Sequence, residues 1–227
     1  DQRLEKLEVM QAVELIVAYN PKALGVNLNF QYLSPVTKEI LQALHDRKFD
    51  GHITLGGLYA SVAASDLMDE MPSVHTVVQF EGEETYLDLV RNIDREENWK
   101  NIAGLVLRDV GGEIRTNPLR PLISNLTDIP VPARDHLDLA LRMGGYAYVI
   151  SSRGCRGRCA YCVQSRSVAD PEGARWRGRD AIDVADEMAQ IVESSGARLF
   201  SFVDDDIFGP TRDGENNAHR LARAIID

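Results

Sequence analysis

Residues 146 to 162 read Tyr146-Ala147-Tyr148-Val149-Ile150-Ser151-Ser152-Arg153-Gly154-Cys155-Arg156-Gly157-Arg158-Cys159-Ala160-Tyr161-Cys162. The opening part, Tyr146 to Ser151, has the β-branched and aromatic content of a buried strand. It runs straight into a loop that holds all three cysteines of the chain, Cys155, Cys159 and Cys162, spaced C-x3-C-x2-C. An odd number of thiols leaves no closed disulfide framework. Reduced thiolates gathered on one soft metal centre fit the spacing better: three can hold three irons of a cubane iron–sulfur cluster and leave the fourth iron open. A zinc knuckle is the competing reading, but a closed zinc site needs a fourth Cys or His at short range, and the nearest histidines, His136 and His219, are remote. Three unrelated buried thiols are the remaining alternative. Gly154 and Gly157 suit a loop whose backbone N–H groups approach sulfur closely.

Downstream of this loop, Asp180 to Ser195 has a helical stripe of Ala181, Val184, Ala185, Met188, Ile191 and Val192, closed by Gly196. Arg198 to Val203 reads as a second strand ending in Asp204-Asp205-Asp206, and Glu215 to Ile226 as a further helix, so this half contains a βαβ unit. Upstream, the chain alternates again: helix Arg3 to Tyr19 stopped by Asn20-Pro21, strand Leu24 to Phe30, a helix opened by Ser34-Pro35, and strand His52 to Leu55 running into Gly56-Gly57. Helix Val62 to Met71, strand Thr76 to Phe80, the turn Glu81-Gly82-Glu83-Glu84 and helix Thr85 to Asp94 follow. Strands alternating with helices of about ten residues predict an α/β class with a parallel sheet. Residues 1 to 100 are therefore expected to form part of an open, doubly wound, Rossmann-like domain. Ligands of such sheets sit beyond the carboxyl ends of the strands, so the loops 31–34, 56–60 and 81–84 should share one rim. Ala103 to Arg108 and Glu113 to Thr116 read as a β-hairpin, and Pro118, Pro121, Pro130 and Pro132 punctuate a stretch without periodicity. Residues 101 to 140 are expected to be this hairpin and a Pro-rich linker, and 141 to 227 the start of a second α/β domain.

Composition narrows the function classes. The 227 residues include 25 Lys+Arg against 35 Asp+Glu, a formal charge of −10, which disfavours a general nucleic-acid or anionic-membrane binder. No apolar run approaches the ~20 residues that span a bilayer. A cytoplasmic protein is expected. The chain starts at Asp1 rather than Met, so a piece of a longer protein is also expected.

With an aromatic residue just before its last cysteine, the C-x3-C-x2-C loop resembles the radical S-adenosylmethionine (SAM) superfamily. The resemblance implies that Cys155, Cys159 and Cys162 ligate a [4Fe-4S] cluster, that SAM chelates the open iron and is cleaved to a 5′-deoxyadenosyl radical, and that Tyr161 packs near the adenine. Four upstream fragments occur in the order seen in radical SAM enzymes with an N-terminal cobalamin (B12)-binding domain. They are Leu24-Gly25-Val26-Asn27, Leu55-Gly56-Gly57, Phe80-Glu81-Gly82-Glu83-Glu84-Thr85 and Pro130-Val131-Pro132-Ala133-Arg134-Asp135. That family implies a cobalamin-binding domain followed by a (β/α) partial barrel. Gly56, Gly57, Glu81, Gly82 and Glu83 would then rim the corrin, since glycines let backbone approach a flat ring. The cobalt-ligating D-x-H-x-x-G motif of many cobalamin proteins is absent, and His45, His52 and His75 sit in unrelated contexts.

Several of these residues have ordinary readings as well. Asp204, with Asp205 and Asp206, contacts SAM or substrate, or else caps the next helix. Arg177, in the Arg175 to Arg179 segment, faces the SAM site as the family's Arg-x-Arg segments do, or else belongs to an exposed basic loop. Gly82 and Glu83 form a cofactor rim or merely start a helix. Met143 and Met188 are expected in the core. The function implied is a cobalamin-dependent radical SAM methyltransferase, which methylates an unactivated carbon of a small molecule, such as a secondary-metabolite or cofactor precursor. A flavodoxin- or ferredoxin-like protein would donate the electron. The alternatives are a radical SAM rearrangement or cyclisation, and a non-catalytic iron–sulfur electron-transfer module. A methylthiotransferase is disfavoured because residues 1 to 140 contain no cysteine for a second cluster.

Overall fold

A computed structural model describes residues 7–109, 111–163, 175–211 and 215–226. They divide into two compact units, one ending at Arg120 and one beginning at Pro121. In the first unit, helix α1 (Val9–Tyr19) is followed by β1 (Ala23–Asn27), α2 (Ser34–Asp46), β2 (His52–Gly56), α3 (Leu58–Val62), α4 (Ala64–Glu70), β3 (Thr76–Val78), α5 (Glu83–Arg91), α6 (Glu96–Trp99), β4 (Leu105–Arg108) and β5 (Ile114–Thr116). The start of the helix expected over Arg3 to Tyr19 lies outside the described residues. Its end is where Asn20 adopts φ 48° and its N–H donates to the Ile16 carbonyl at 2.9 Å.

The sheet has strand order β1-β2-β3-β4-β5, with β1, β2 and β3 parallel and β4 and β5 antiparallel to their neighbours. The expected parallel core is therefore present. The hairpin assigned to the 101–140 segment completes the same sheet, which makes it mixed. Adjacent residues of β3 point to opposite faces. Val77 packs with Val13, Leu41, Leu44, Leu55, Leu67 and Met68 on one face, and Val78 with Leu89, Trp99, Leu105 and Leu107 on the other. Both faces are thus covered by helices. Full burial of a side chain such as Leu89 contributes about 2 kcal/mol each time it occurs.

Local chemistry moved several boundaries. Strand β1 stops at Asn27 because the chain then turns into a 3-10 turn, Gln31–Leu33, that leads into α2; Ser34 is inside that helix rather than its cap. The helix expected over Val62 to Met71 starts directly after Gly57 and breaks at Ala63 into α3 and α4.

In the second unit, α7 (Leu137–Arg142), β6 (Ala147–Val149), β7 (Ser152–Arg153), β8 (Arg177–Gly178), α8 (Ala181–Ser195), β9 (Phe200–Phe202) and α9 (Asn217–Ile226) follow one another. Strands β6 and β9 pair in parallel across α8, a βαβ unit, while β7 and β8 form a short antiparallel ladder. This single βαβ unit is what the described residues contain of the expected barrel. The Asp180 side chain accepts from the Ile182 N–H at the start of α8, and Gly196, at φ 68°, ends it. Ala147, Val149, Val184, Ile191, Ala197 and Leu221 form the core, with Met188 against it; Met143, expected in a core, is exposed. The Pro-rich stretch read as a linker belongs to this unit from Pro121 onward: the Ile123 carbonyl accepts from Arg177, and Thr127 donates to Asp183. No helix among the described residues is long and apolar enough to cross a membrane.

Candidate functional site

The chain leaves the carboxyl end of β6, forms the short β7 and then enters the cysteine loop. Its corner is held by Asp204, just past β9, which accepts from the Ser151 N–H at 3.2 Å and from the Ser151 and Ser152 hydroxyls at 2.7 and 2.5 Å. Asn217 of α9 adds a bond to the Ser151 hydroxyl at 3.1 Å. Asp204, one of the expected SAM contacts, thus ties the strand end that launches the loop. Arg177, the other, is buried and donates to the Ile123 carbonyl at 2.6 Å. Gly154 follows β7 at φ 81°, where a Cβ would overlap the Arg175 carbonyl oxygen, so only glycine allows this approach.

Within the loop, the Gly157 N–H donates to the Cys155 sulfur at 3.3 Å, and a Cβ on Gly157 would stand 3.3 Å from that sulfur and 3.6 Å from the Cys159 sulfur. The Cys162 N–H donates to the Cys159 carbonyl at 3.1 Å, turning the chain between the second and third thiols. Cys155 and Cys162 are half-buried, Cys159 is exposed, and Tyr161 is 92% exposed. Among the described residues, no three His, Cys, Asp or Glu side chains already converge on one metal position. The donor set nonetheless fits a cubane cluster. It offers three soft thiols on one turn, a backbone N–H aimed at sulfur, and a Cβ-free cradle between two of the thiols. Beside it, Asp206 accepts from Arg156 Nε at 2.7 Å, and this hydrogen bond holds the carboxyl below its usual range; the Asp206 carbonyl accepts from Trp176 Nε1.

Sequence reading missed a charge cluster that supports β6. Glu187, 3% exposed, pairs with both Arg134 and Arg179, and the two guanidiniums donate to the Tyr148 and Ile150 carbonyls. The signal was available: Glu187 lies between Val184 and Ile191 on the buried stripe of α8, and a buried carboxylate must be paired.

The first unit holds a second place of interest. A cavity of about 380 Å³ opens at the carboxyl ends of β1, β2 and β3. Gly56, Gly57, Gly82 and Glu83 line it, as do Asn27, Asn29 and Tyr86, whereas Glu81 and the 31–34 loop do not. Gly57 sits at φ 94°, where a Cβ would overlap Asn27 Oδ1, and Asn29 Oδ1 accepts from the Leu58 N–H at 3.0 Å. The Ser61 hydroxyl donates to the Gly57 carbonyl and accepts from the Phe80 N–H at 2.7 Å, and Phe80 itself is left-handed at φ 57°. Among the described residues no lysine or arginine lines the cavity, and Glu83 does, so the described lining does not suit phosphate. A glycine floor with the Asn27 and Asn29 amides and the Glu83 carboxylate in its lining fits a flat, amide-bearing, non-anionic group such as a corrin.

No protein-family profile matches the chain. It is 28% identical over 206 residues to an uncharacterized methyltransferase of Pyrococcus horikoshii, covering 88% of this chain and 43% of that protein. It is 27% identical over 200 residues to the anaerobic magnesium-protoporphyrin IX monomethyl ester cyclase of Synechocystis, covering 86% and 39%. Among solved structures, the cobalamin-dependent SAM radical enzyme OxsB, with aqua-cobalamin and SAM bound, matches all of this chain and 31% of its own at a TM-score of 0.78 and 20% identity. The radical SAM methyltransferase TsrM of Kitasatospora setae, with cobalamin and a [4Fe-4S] cluster bound, matches 86% of this chain and 40% of its own at a TM-score of 0.66 and 19% identity. The chain spans about two fifths of the length of these curated relatives.

Proposed function

We propose that this chain, a relative of the radical SAM enzymes with a cobalamin-binding domain over nearly its whole length, is the cofactor-holding portion of a cobalamin-dependent radical SAM methyltransferase. When bound, cluster and SAM supply a hydrogen-abstracting radical, and cobalamin carries the methyl group. Cys155, Cys159 and Cys162 hold the cluster, with the Gly157 N–H moderating sulfur charge. Tyr161, exposed beside the third thiol, is free to pack on the adenine of SAM. Asp204 and Arg177 act by fixing the strand end and the segment behind the loop. The cavity bordered by Gly56, Gly57, Gly82 and Glu83 takes the corrinoid. The enzyme is cytoplasmic, where thiols stay reduced, and draws its electron from a flavodoxin- or ferredoxin-like donor.

The observation that carries this reading is the C-x3-C-x2-C loop at the carboxyl end of a βαβ strand, with Gly157 lodged against the Cys155 and Cys159 sulfurs. The test is anaerobic. The full-length protein is reconstituted with iron and sulfide, reduced, and given SAM; 5′-deoxyadenosine is expected from wild type and not from Cys155→Ala. Wild type that releases none under these conditions refutes the radical SAM assignment. The Synechocystis relative, named a cyclase, favours one second reading, a cyclisation or rearrangement without methyl transfer. With substrate, a methyltransferase yields S-adenosylhomocysteine beside 5′-deoxyadenosine, and a cyclase yields 5′-deoxyadenosine alone.

A further inference from the structure

We infer that Tyr86 is a ligand-contacting, specificity-determining residue of the cavity at the ends of β1, β2 and β3, its phenolic hydroxyl donating a hydrogen bond to a neutral acceptor on the bound corrinoid. The inference rests on the corrinoid reading of that cavity and goes beyond it to a residue that no sequence motif marks.

Three observations converge on it. Tyr86 belongs to the first turns of α5, and its ring lies over β1 at Gly25. A Cβ there would stand 2.9 Å from the Tyr86 Oη and 3.1 Å from Cζ, so the strand carries a glycine where the phenol rests. The side chain packs against the cluster of Val78, Leu89, Trp99, Leu105 and Leu107, while Tyr86 also lines the cavity and its hydroxyl, beside Gly25, has no hydrogen-bond partner among the described residues. A phenylalanine would fill the same space. A half-buried hydroxyl that the protein leaves unsatisfied has to find its partner in water or in a ligand.

The surroundings define what that partner is. Val26, Leu55 and Val78 make the walls apolar, the Asn27 carboxamide and the Glu83 carboxylate stand at the rim, and among the described residues no cationic side chain lines the cavity to draw in an anion. Burial raises the phenol's pKa, so it is a proton donor throughout the neutral range. A donor in a mostly apolar recess whose one charged lining residue is the carboxylate Glu83 selects a neutral carbonyl or ring-nitrogen acceptor over an anion, and corrinoids carry amide carbonyls around the macrocycle and a heterocyclic base on the nucleotide loop.

The experiment is an absorption titration of the full-length protein with hydroxocobalamin, comparing wild type with Tyr86→Phe, alongside the melting temperature of each protein without ligand. An unchanged melting temperature with roughly 5- to 10-fold weaker binding in Tyr86→Phe is expected, the size of one net hydrogen bond. Repeating the titration with dicyanocobinamide, which lacks the nucleotide loop, locates the acceptor: a loss shared by both ligands puts it on the macrocycle, and a loss confined to cobalamin puts it on the loop. Equal affinities of wild type and Tyr86→Phe for both ligands overturn the inference while leaving the corrinoid reading standing. Wild type that binds neither ligand overturns the corrinoid reading itself.

Discussion

Acid should loosen the first unit by a specific route. His52, at the start of β2, and His75, just before β3, stack with ring centroids 4.8 Å apart, and the indole of Trp99 meets His52 edge-on at 5.0 Å. Burial, then the neighbouring His75, depresses the His52 pKa from 6.5 to about 4, and burial also lowers that of His75. Lys22, Asp50 and Asp94 border the same recess. The unfolded chain therefore binds a proton near pH 6.5 that the folded chain refuses until about pH 4. Stability is complete above pH 6.5, falls as the pH drops from 6.5 towards the folded value near 4, and levels off below it. At about 1.4 kcal/mol per pH unit, the window from 6.5 to 4 costs about 3 kcal/mol for His52, trimmed to about 2 by its partly open side. The assay is urea unfolding at pH 7 and at pH 4.5, followed by tryptophan fluorescence, in wild type and in the uncharged variant His52→Gln. The wild type should lose about 2 kcal/mol more than the variant over this interval. Parallel losses in both proteins would refute the assignment of the acid sensitivity to this stack.

Three further outcomes follow from the geometry. Glu187→Ala leaves the half-buried Arg134 and Arg179 without their shared buried carboxylate and should cost about 3 to 5 kcal/mol in denaturant unfolding, well above the ~0.5 kcal/mol of an exposed carboxylate such as Glu14 in Glu14→Ala. Gly57→Ala forces a side chain into a left-handed backbone and against Asn27, so a loss of about 1 to 3 kcal/mol is expected in thermal melts, together with weaker hydroxocobalamin uptake. Gly154→Ala drives the loop off the Arg175 carbonyl; iron content after anaerobic reconstitution should fall by half or more, while the far-ultraviolet circular dichroism of the chain stays unchanged.

What the sequence made legible was local. Asp180 and Gly196 announce both ends of α8, and the alternation of apolar runs with helical stripes yields β1, β2 and β3 in their order. The errors came from contacts distant in the chain. Leu105, Val106 and Leu107 are all buried, the pattern of a strand covered on both faces, and this continuous run was the cue that the hairpin belongs inside the sheet. The cysteine spacing marked its loop at once, because the three thiols already lie close together in the chain. Asn27, Asn29 and Tyr86 carry no such spacing, and they reach the cavity only once three separate strands and α5 are assembled. Asp204 and Arg177 stand where a charge was expected to meet a ligand, and their bonds to Ser151, Ser152 and Ile123 are tertiary facts that no local pattern encodes.

The Ser61 hydroxyl stands between two loops of the cavity mouth. By bridging the Gly57 carbonyl and the Phe80 N–H, it couples the loop after β2 to the loop after β3, so that neither swings alone. The entropy of ordering those loops is therefore lost during folding rather than when a ligand arrives, and association should proceed without a slow conformational phase. Replacing this one small side chain would turn a rigid mouth into two independent flaps, trading fast, simple uptake for a two-step approach in which the cavity must first be assembled around its guest.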